Sequence, residues 1–485
     1  MKRIEFCMND LINKVENDEH ILLFRFQFDN TPVWPFIRFS VYKLISNKIT
    51  GKTLPTQNNA NKFLVIKKRV KELIVYVKKS FNMPFLWEQK DFLYFYNGTG
   101  NVTNADGKIY NRIFDWFVME YNERSGVIET AGQVIHKEDS YVDKKYKDPI
   151  DFLINVLCFL RKPDPKDVLM ADALMQYLCD ECKVSFSLSE VLKIKKYILI
   201  YSKQIRYMKQ IYPKMFRRIN PKIVFFEEGC YGGSNAYLIK LLHERGVKTA
   251  EIQHGMVGKN QNEYFHSEFL CNNSEYANYM PDYFLGWSEY WLEKISIPGE
   301  KIPIGNSQFW QQYLNMLKKQ ENKKTAELDH RTILWIAFVN NDINIKILKE
   351  FISTSNNEYY IRIRLHPAWQ YLMSEYKEFE KNEKVTMDEL PIIYDSFQAS
   401  DYVVAEASTT IYEALAVGKP TFVFDSETSE WAETKNLAAI FKNVNELLDL
   451  LQKAENVENY DVKYQKKFFG ETWQDKFRNF IEEVV

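Results

Sequence analysis

Lys222-Ile223-Val224-Phe225-Phe226-Glu227-Glu228-Gly229-Cys230-Tyr231-Gly232-Gly233 is the stretch that decides the fold. It reads as a short apolar strand running into an acidic, glycine-containing turn. A helix is expected over 234–245, stopped at Gly246, and a second strand over 247–252 leads into Gln253-His254-Gly255. Strand, turn, helix and strand make the βαβ unit of a parallel sheet. The pattern repeats outward as a strand over 282–285, a helix over 288–295 and a strand over 301–304 before Gly305-Asn306-Ser307.

A polar, lysine-rich break over 318–331 reads as a linker, and a second alternating series begins at Thr332. A strand over 359–365 ends on His366-Pro367. Another over 402–405 ends on Glu406-Ala407-Ser408-Thr409-Thr410, with a helix over 411–417 closing at Gly418 and a further strand over 420–424. The economical architecture is α/β, with two Rossmann-like domains facing across a cleft. An N-terminal domain with an N-terminal elaboration is expected over 1–317 and a second domain over 332–460. A final helix over 461–485 would pack Phe468, Phe469, Trp473, Phe477, Phe480 and Ile481 back on the body.

Toward the N-terminus the grammar is less regular. Ile21-Leu22-Leu23-Phe24-Arg25-Phe26 reads as a strand, residues 36–46 as an aromatic helix, and 57–61 as a polar loop. Asp91-Phe92-Leu93-Tyr94-Phe95-Tyr96 reads as a buried strand closing on a plain turn, Asn97-Gly98-Thr99-Gly100. Ser187-Leu188-Ser189-Glu190 has capping-box spacing, so a long helix starts there and is expected to end at Pro213.

With 485 residues, 46% hydrophobic and 27% charged, the chain is large enough for two full cores and is not disordered. Sixty-four Lys and Arg against sixty-five Asp and Glu give a net charge of −1, which argues against a dedicated nucleic-acid binder. Locally the balance fails. Between Lys193 and Lys222 lie ten basic residues and no acidic one, and 62–79 holds seven basic residues against Glu72 alone. Such segments either attract an anionic membrane surface or form solvated helix faces. Six cysteines make no disulfide framework here, and Cys179-Asp-Glu-Cys182 reads as two helix cysteines rather than a zinc site. The first residues lack a secretory apolar core, and no window reaches the roughly eighteen apolar residues of a membrane span. A cytoplasmic address, with peripheral contact at the inner membrane face, is the expectation.

Ligands of open parallel sheets sit outside the carboxyl ends of the strands. Four clusters fall there: Glu227-Glu228-Gly229, Gln253-His254-Gly255, Arg364-Leu365-His366-Pro367, and Ser408-Thr409-Thr410 with Glu413. Neighbouring side chains on an extended chain point opposite ways, so one of the two glutamates can face the cleft as a base while the other braces the loop. Ser408-Thr409-Thr410 at a helix start offers hydroxyls and N–H groups to an anion, or simple N-capping, or both. His254 and His366 suit either a ligand or a structural role.

In order and approximate spacing, these clusters resemble the motifs of bacterial sialyltransferases and related CMP-sugar transferases of GT-B fold. The stretch Ser408-Thr409-Thr410-Ile411-Tyr412-Glu413-Ala414-Leu415-Ala416-Val417-Gly418-Lys419-Pro420 and the Gln-His-Gly turn are similar to those of wider GT-B enzymes that build capsule, lipopolysaccharide or teichoic acid. The resemblance covers about 221–425. It implies that Glu228 is the general base on an acceptor hydroxyl, with Glu227, Gln253, His254 and Gly255 lining the acceptor side. His366 would contact the donor phosphate and help the nucleotide leave. Ser408, Thr409, Thr410, Arg364 and Lys419 would bind that phosphate, and Glu413 would lie near the ribose. It further implies a nucleotide-sugar donor, an oligosaccharide or lipid-linked glycan acceptor, and no cofactor or catalytic metal; no D-x-D triplet is present. Glu406 and Glu413 stand seven apart, one short of the spacing in many retaining GT-B enzymes. A teichoic-acid-type polymerase using a CDP-polyol, a UDP-sugar 2-epimerase and a non-catalytic glycan-binding scaffold remain as alternatives.

Overall fold

The computed structural model describes residues 8–49, 83–86, 89–98, 100–103, 108–130, 142, 144–322, 331–355, 358–454 and 464–485. The basic stretch over 62–79, the polar loop over 57–61, and 323–330 of the expected linker lie outside these residues.

Among the described residues, two parallel sheets carry the fold. The first contains β1 (Phe92–Tyr96), β4 (Ser125–Glu129), β5 (Lys144–Tyr146), β6 (Ile223–Phe226), β7 (Lys248–Ile252), β8 (Tyr283–Gly286) and β9 (Glu300–Pro303). Its strand order is β5-β4-β1-β6-β7-β8-β9, and every pairing is parallel. The expected βαβ unit is therefore the right half of a sheet whose left half comes from the first 150 residues. All of Phe92–Tyr96 and Ile223–Phe226 are buried, as befits strands covered by helices on both faces. A small antiparallel pair, β2 (Asn101–Thr103) and β3 (Ile109–Asn111), stands beside this sheet.

The second sheet holds β10 (Arg331–Ile336), β11 (Tyr359–Arg364), β12 (Val385–Met387), β13 (Tyr402–Ala405), β14 (Thr421–Phe424) and β15 (Ala439–Phe441). Its order is β12-β11-β10-β13-β14-β15, again all parallel. Two Rossmann-like sheets facing across a cleft is the GT-B arrangement. The chain's last segment is two helices, Tyr464–Phe469 and Trp473–Val484, broken where Gly470 and Thr472 take positive φ. Phe469 stacks on Phe309 with ring centroids 4.1 Å apart, and Phe477 packs on Phe117 at 4.7 Å. The chain thus crosses back from the second sheet to the first.

Two local expectations are corrected. Residues 21–26 are not a strand: His20–Leu23 is one helical turn with Ile21 and Leu22 both buried, and only an isolated bridge joins Arg25 to Pro32. The Leu22 N–H donates to the Glu19 carbonyl at 3.0 Å, so the backbone bonds locally, as a helical turn does, rather than across to a neighbouring strand. The long helix does not stop at Pro213 but runs Leu188–Ile219 to Asn220 in the left-handed region. An internal proline costs roughly 3 kcal/mol, and the buried Tyr212 before it and Met215, Phe216 and Ile219 after it offset that cost. Its start is the expected capping box of Ser187 and Glu190. Cys179 lies in a π-helical turn, Tyr177–Glu181, with Cys182 at its end, and neither is joined in a disulfide.

The N-terminal helices belong to the first domain's core. Buried Glu16 pairs with buried Arg38 at 2.7 Å and accepts from Trp34 and Tyr42, while Arg38 also donates to the carbonyls of Asn262 and Phe265. This pair fastens the loop after β7 to the N-terminal elaboration. At Gly232, with φ of +72°, a Cβ would overlap the Pro35 carbonyl oxygen, so the turn after β6 needs glycine to meet the same elaboration.

Candidate functional site

The two glutamates at the end of β6 divide as neighbouring extended residues should. Glu227 is buried and accepts a 2.7 Å hydrogen bond from the Asn97 backbone N–H. Half-buried Glu228 accepts from Asn97 Nδ2, also at 2.7 Å. Burial first, and then the Glu227 charge, push the Glu228 carboxyl up to about 7, against the opposing Asn97 hydrogen bond. Asn97 belongs to the loop read as a plain turn; no sequence signal marked it as the clamp on both acids. Glu251 was also missed. It is buried within β7, accepts from the Cys230 N–H at 2.6 Å and the Tyr264 hydroxyl at 2.7 Å, and burial pushes it up to about 8. An acid near the carboxyl end of an expected interior strand was the available signal.

The turn after β7 has unequal members. Gln253 is buried, accepts from the Trp287 N–H at 2.9 Å and donates to the Gly255 carbonyl at 2.8 Å, so its amide braces the turn. Around Gly255 the space is open, with nothing within 4 Å of an added Cβ. His254 faces the Tyr231 hydroxyl at 3.5 Å, and its Nδ1 is buried without a hydrogen-bond partner among the described residues. Burial, and then the charge of Arg112, hold its imidazole down at about 4, so it is neutral at pH 7.

Arg112 ties the clusters together. It follows β3, its backbone N–H donates to Gly100, and its side chain is exposed with no hydrogen bond or ion pair to any described residue. Its base is rigid: Asn111 Oδ1 accepts from the Ile113 and Phe114 N–H groups, and Tyr110 accepts from Gln308 at 2.8 Å. The guanidinium lowers the proton affinity of His254, His366 and Glu413 together. Residues from three of the four clusters therefore surround one cation that sequence reading passed over. An open cleft lies there, lined by Arg112, His254, Trp287 and Gln308 on one wall and Thr409 and Glu413 on the other.

On the second domain, Ser408 caps the helix Thr409–Ala416, accepting from the Thr410 N–H at 3.2 Å and donating to the Thr410 hydroxyl at 3.0 Å. The Thr409 hydroxyl makes no hydrogen bond to a described residue. Half-buried Glu413 accepts from the Tyr394 hydroxyl at 2.8 Å, and burial raises its carboxyl against the pull of Arg112 and Arg364. Exposed His366 packs on Trp369 with centroids 5.2 Å apart, and desolvation by its neighbours, then Arg112, disfavour its charged form.

Two expected phosphate ligands make contacts within the second domain. The Arg364 guanidinium donates through Nη1 to Asp388 at 2.7 Å, to the Leu390 carbonyl at 2.8 Å and to Ser396, and so helps neutralise a buried carboxylate. Lys419 lies in the turn that enters β14 at its amino end and donates to the Ser400 carbonyl at 2.6 Å, on the sheet edge opposite the cleft. Buried Glu406 accepts from the Val339 N–H and the Ser426 hydroxyl, which occupies both its oxygens structurally. Among the described residues no group of three or more His, Cys, Asp or Glu is placed to hold a metal ion.

No protein-family model matches the chain, and no curated protein matches it. Solved structures of similar shape include the UDP-GlcNAc 2-epimerase of Methanocaldococcus jannaschii, 13% identical over 81% of this chain and 99% of that one, with a TM-score of 0.45. The UDP-GlcNAc 2-epimerase of Neisseria meningitidis bound to UDP-GlcNAc is 13% identical over 81% and 99%, with a TM-score of 0.43. The wall teichoic acid polymerase TagF is 12% identical over 92% and 98%, with a TM-score of 0.41. Likeness of this degree says nothing of chemistry; the fold rests on strand order and register.

Proposed function

We propose that this protein is a GT-B transferase that moves a glycosyl group from a nucleotide-activated donor to an acceptor hydroxyl of a bacterial surface glycan. One observation carries the reading. A cleft that contains an unpaired guanidinium, Arg112, and a free hydroxyl at a helix start, Thr409, is lined by His254 after β7, and Glu228, its carboxyl pushed up to about 7, ends the neighbouring strand β6. A group with a pKa close to the working pH is the effective general base for a hydroxyl.

In this mechanism Glu228 takes the acceptor proton as the hydroxyl oxygen bonds to the anomeric carbon. The bond from that carbon to the nucleotide phosphate breaks, and the phosphate oxygen leaves with the electron pair. Arg112, the Thr409 hydroxyl and the N–H groups at the start of Thr409–Ala416 receive its negative charge. Neutral His366 donates a hydrogen bond to the same group, and Glu413 turns toward the ribose. CMP-activated sialic acid or a related keto-sugar acid is the proposed donor. A second reading, transfer of a polyol phosphate from a CDP donor, is favoured by the same pair of neutral imidazoles beside Arg112, which suits substitution at phosphorus as well.

Thermal shift with CMP, CDP, UDP and GDP, followed by a donor screen with mass detection of the transferred group, tests both. A glycosyl product with release of CMP supports the first reading, and a polyol phosphate product with release of CMP selects the second. Absence of stabilisation by any of the four nucleotides defeats the enzyme reading.

A further inference from the structure

The helix Asp148–Leu160 is apolar on two opposite faces, one buried and one largely exposed. Ile150, Ile154 and Cys158 are buried against the body. Phe152, Leu153, Val156, Phe159 and Leu160 are exposed, Phe159 at 87% and Leu160 at 74%. At 100° per residue these five fall within an arc of about 120° on the outer side. No charged residue occurs from Phe152 to Leu160. A helix that is hydrophobic all round is ordinarily enclosed, so the outer face calls for a partner.

Charge at the helix end indicates which partner. Arg161, Lys162 and Lys166 follow at once, all exposed, with no side-chain partner among the described residues. The next helix, Pro165–Gln176, adds Leu169 at 69% exposure. The ten-residue basic run behind them is less available than its sequence suggests. Lys195 pairs with Asp172, Arg206 with Asp164 and Lys209 with Asp29, and Lys203 holds the Arg161 carbonyl at 3.4 Å. These contacts fix the tip and leave Arg161, Lys162 and Lys166 as its outward charges. Bulky apolar side chains followed directly by unpaired cations match the interface of an anionic bilayer, where apolar groups enter among the acyl chains and cations meet phosphates.

We propose that the tip Phe159-Leu160-Arg161-Lys162, with Leu153, Val156, Lys166 and Leu169, docks this protein on an anionic lipid bilayer surface. The attachment is peripheral: no helix among the described residues is long and apolar enough to cross a membrane. It stands independently of the activity proposed above.

Flotation of the full chain with phosphatidylcholine vesicles, with and without phosphatidylglycerol, tests it. The wild-type chain should float with anionic vesicles only, and lose at least about tenfold in binding when salt rises from roughly 0.05 to 0.5 M. Phe159→Asp with Leu160→Asp should lower binding at least about tenfold while leaving the melting curve unchanged, since both side chains are solvent-exposed. Arg161→Glu with Lys162→Glu should remove most of the salt-sensitive part. Phe159→Trp should show a blue-shifted emission with anionic vesicles, quenched by brominated acyl chains. Undiminished vesicle binding by the double aspartate variant overturns the proposal. So does a wild-type chain that ignores vesicles, or one that self-associates in solution through a contact that variant abolishes.

Discussion

The two sheets are written in the same βαβ grammar, yet their carboxyl edges hold different resources. The first gathers acids, Glu227, Glu228 and Glu251, against buried aromatic and backbone partners. The second offers hydroxyls and a helix start at Ser408-Thr409-Thr410, while Arg364 pairs with Asp388 and Lys419 bonds Ser400 at the opposite edge of the sheet. Crowding acids in a poorly solvated place raises a carboxyl into the range of a base. The free guanidinium at the cleft comes from the first domain, Arg112. Each domain therefore lacks what the cleft needs, and the facing pair supplies it.

The most severe way to break this contrast is Glu228→Gln. Transfer should fall about a thousandfold, while nucleotide binding by thermal shift is kept. Near-normal turnover would remove Glu228 from the chemistry. Arg112→Ala should weaken nucleotide binding by roughly ten- to a hundredfold, the worth of a hydrogen bond to a charged group, without lowering the melting temperature. Unchanged affinity by calorimetry would return the phosphate site to the second domain alone.

Arg364→Ala sharpens the comparison in the other direction. Asp388 would lose a main partner while keeping Arg362, so the loss should appear as about 3 kcal/mol of stability in urea titration. Intact stability with lost nucleotide affinity would make Arg364 a ligand after all.

Acidity gives a subtler reading. The folded chain keeps on Glu228 a proton that the unfolded chain releases near its ordinary value of 4.5. The stability from that proton is complete below about 4.5 and is lost as pH rises through about 7, while the rate climbs as the base ionises. Wild-type melting temperature and kcat should therefore move oppositely across this window, and the melting-temperature difference between wild type and Glu228→Gln should isolate the slope. Smallest of all, Lys419→Ala should change nucleotide affinity less than about twofold, because its ammonium sits a sheet-length from the cleft; a larger loss in calorimetry would contradict that placement.

Sequence reading recovered the sheet grammar best where apolar runs were short and bounded by glycine or polar turns. It placed β6, β7, β10, β11, β13 and β14 within a residue or two. It failed at 21–26, where adjacent apolar residues in a single helical turn look like a strand, and at Pro213, where buried neighbours outweighed a local breaker. Partnership within the site was not legible. Arg364, Lys419 and Gln253 have ligand-like side chains that hydrogen-bond to residues 24, 19 and 34 positions away. Asn97 and Arg112 stood in stretches without motif, and only the fold brings them to the acids and to the cleft.

By itself the sequence determined the alternation of strands and helices, the two-domain α/β plan and the location of polar clusters at strand ends, because periodicity and turn chemistry are local. The tertiary structure alone decided that the first 150 residues complete the first sheet, which cations are free, and which apolar helix face lacks a cover. Those depend on contacts between residues far apart in the chain, and no local pattern encodes whether a charge or a methyl group has already met its partner.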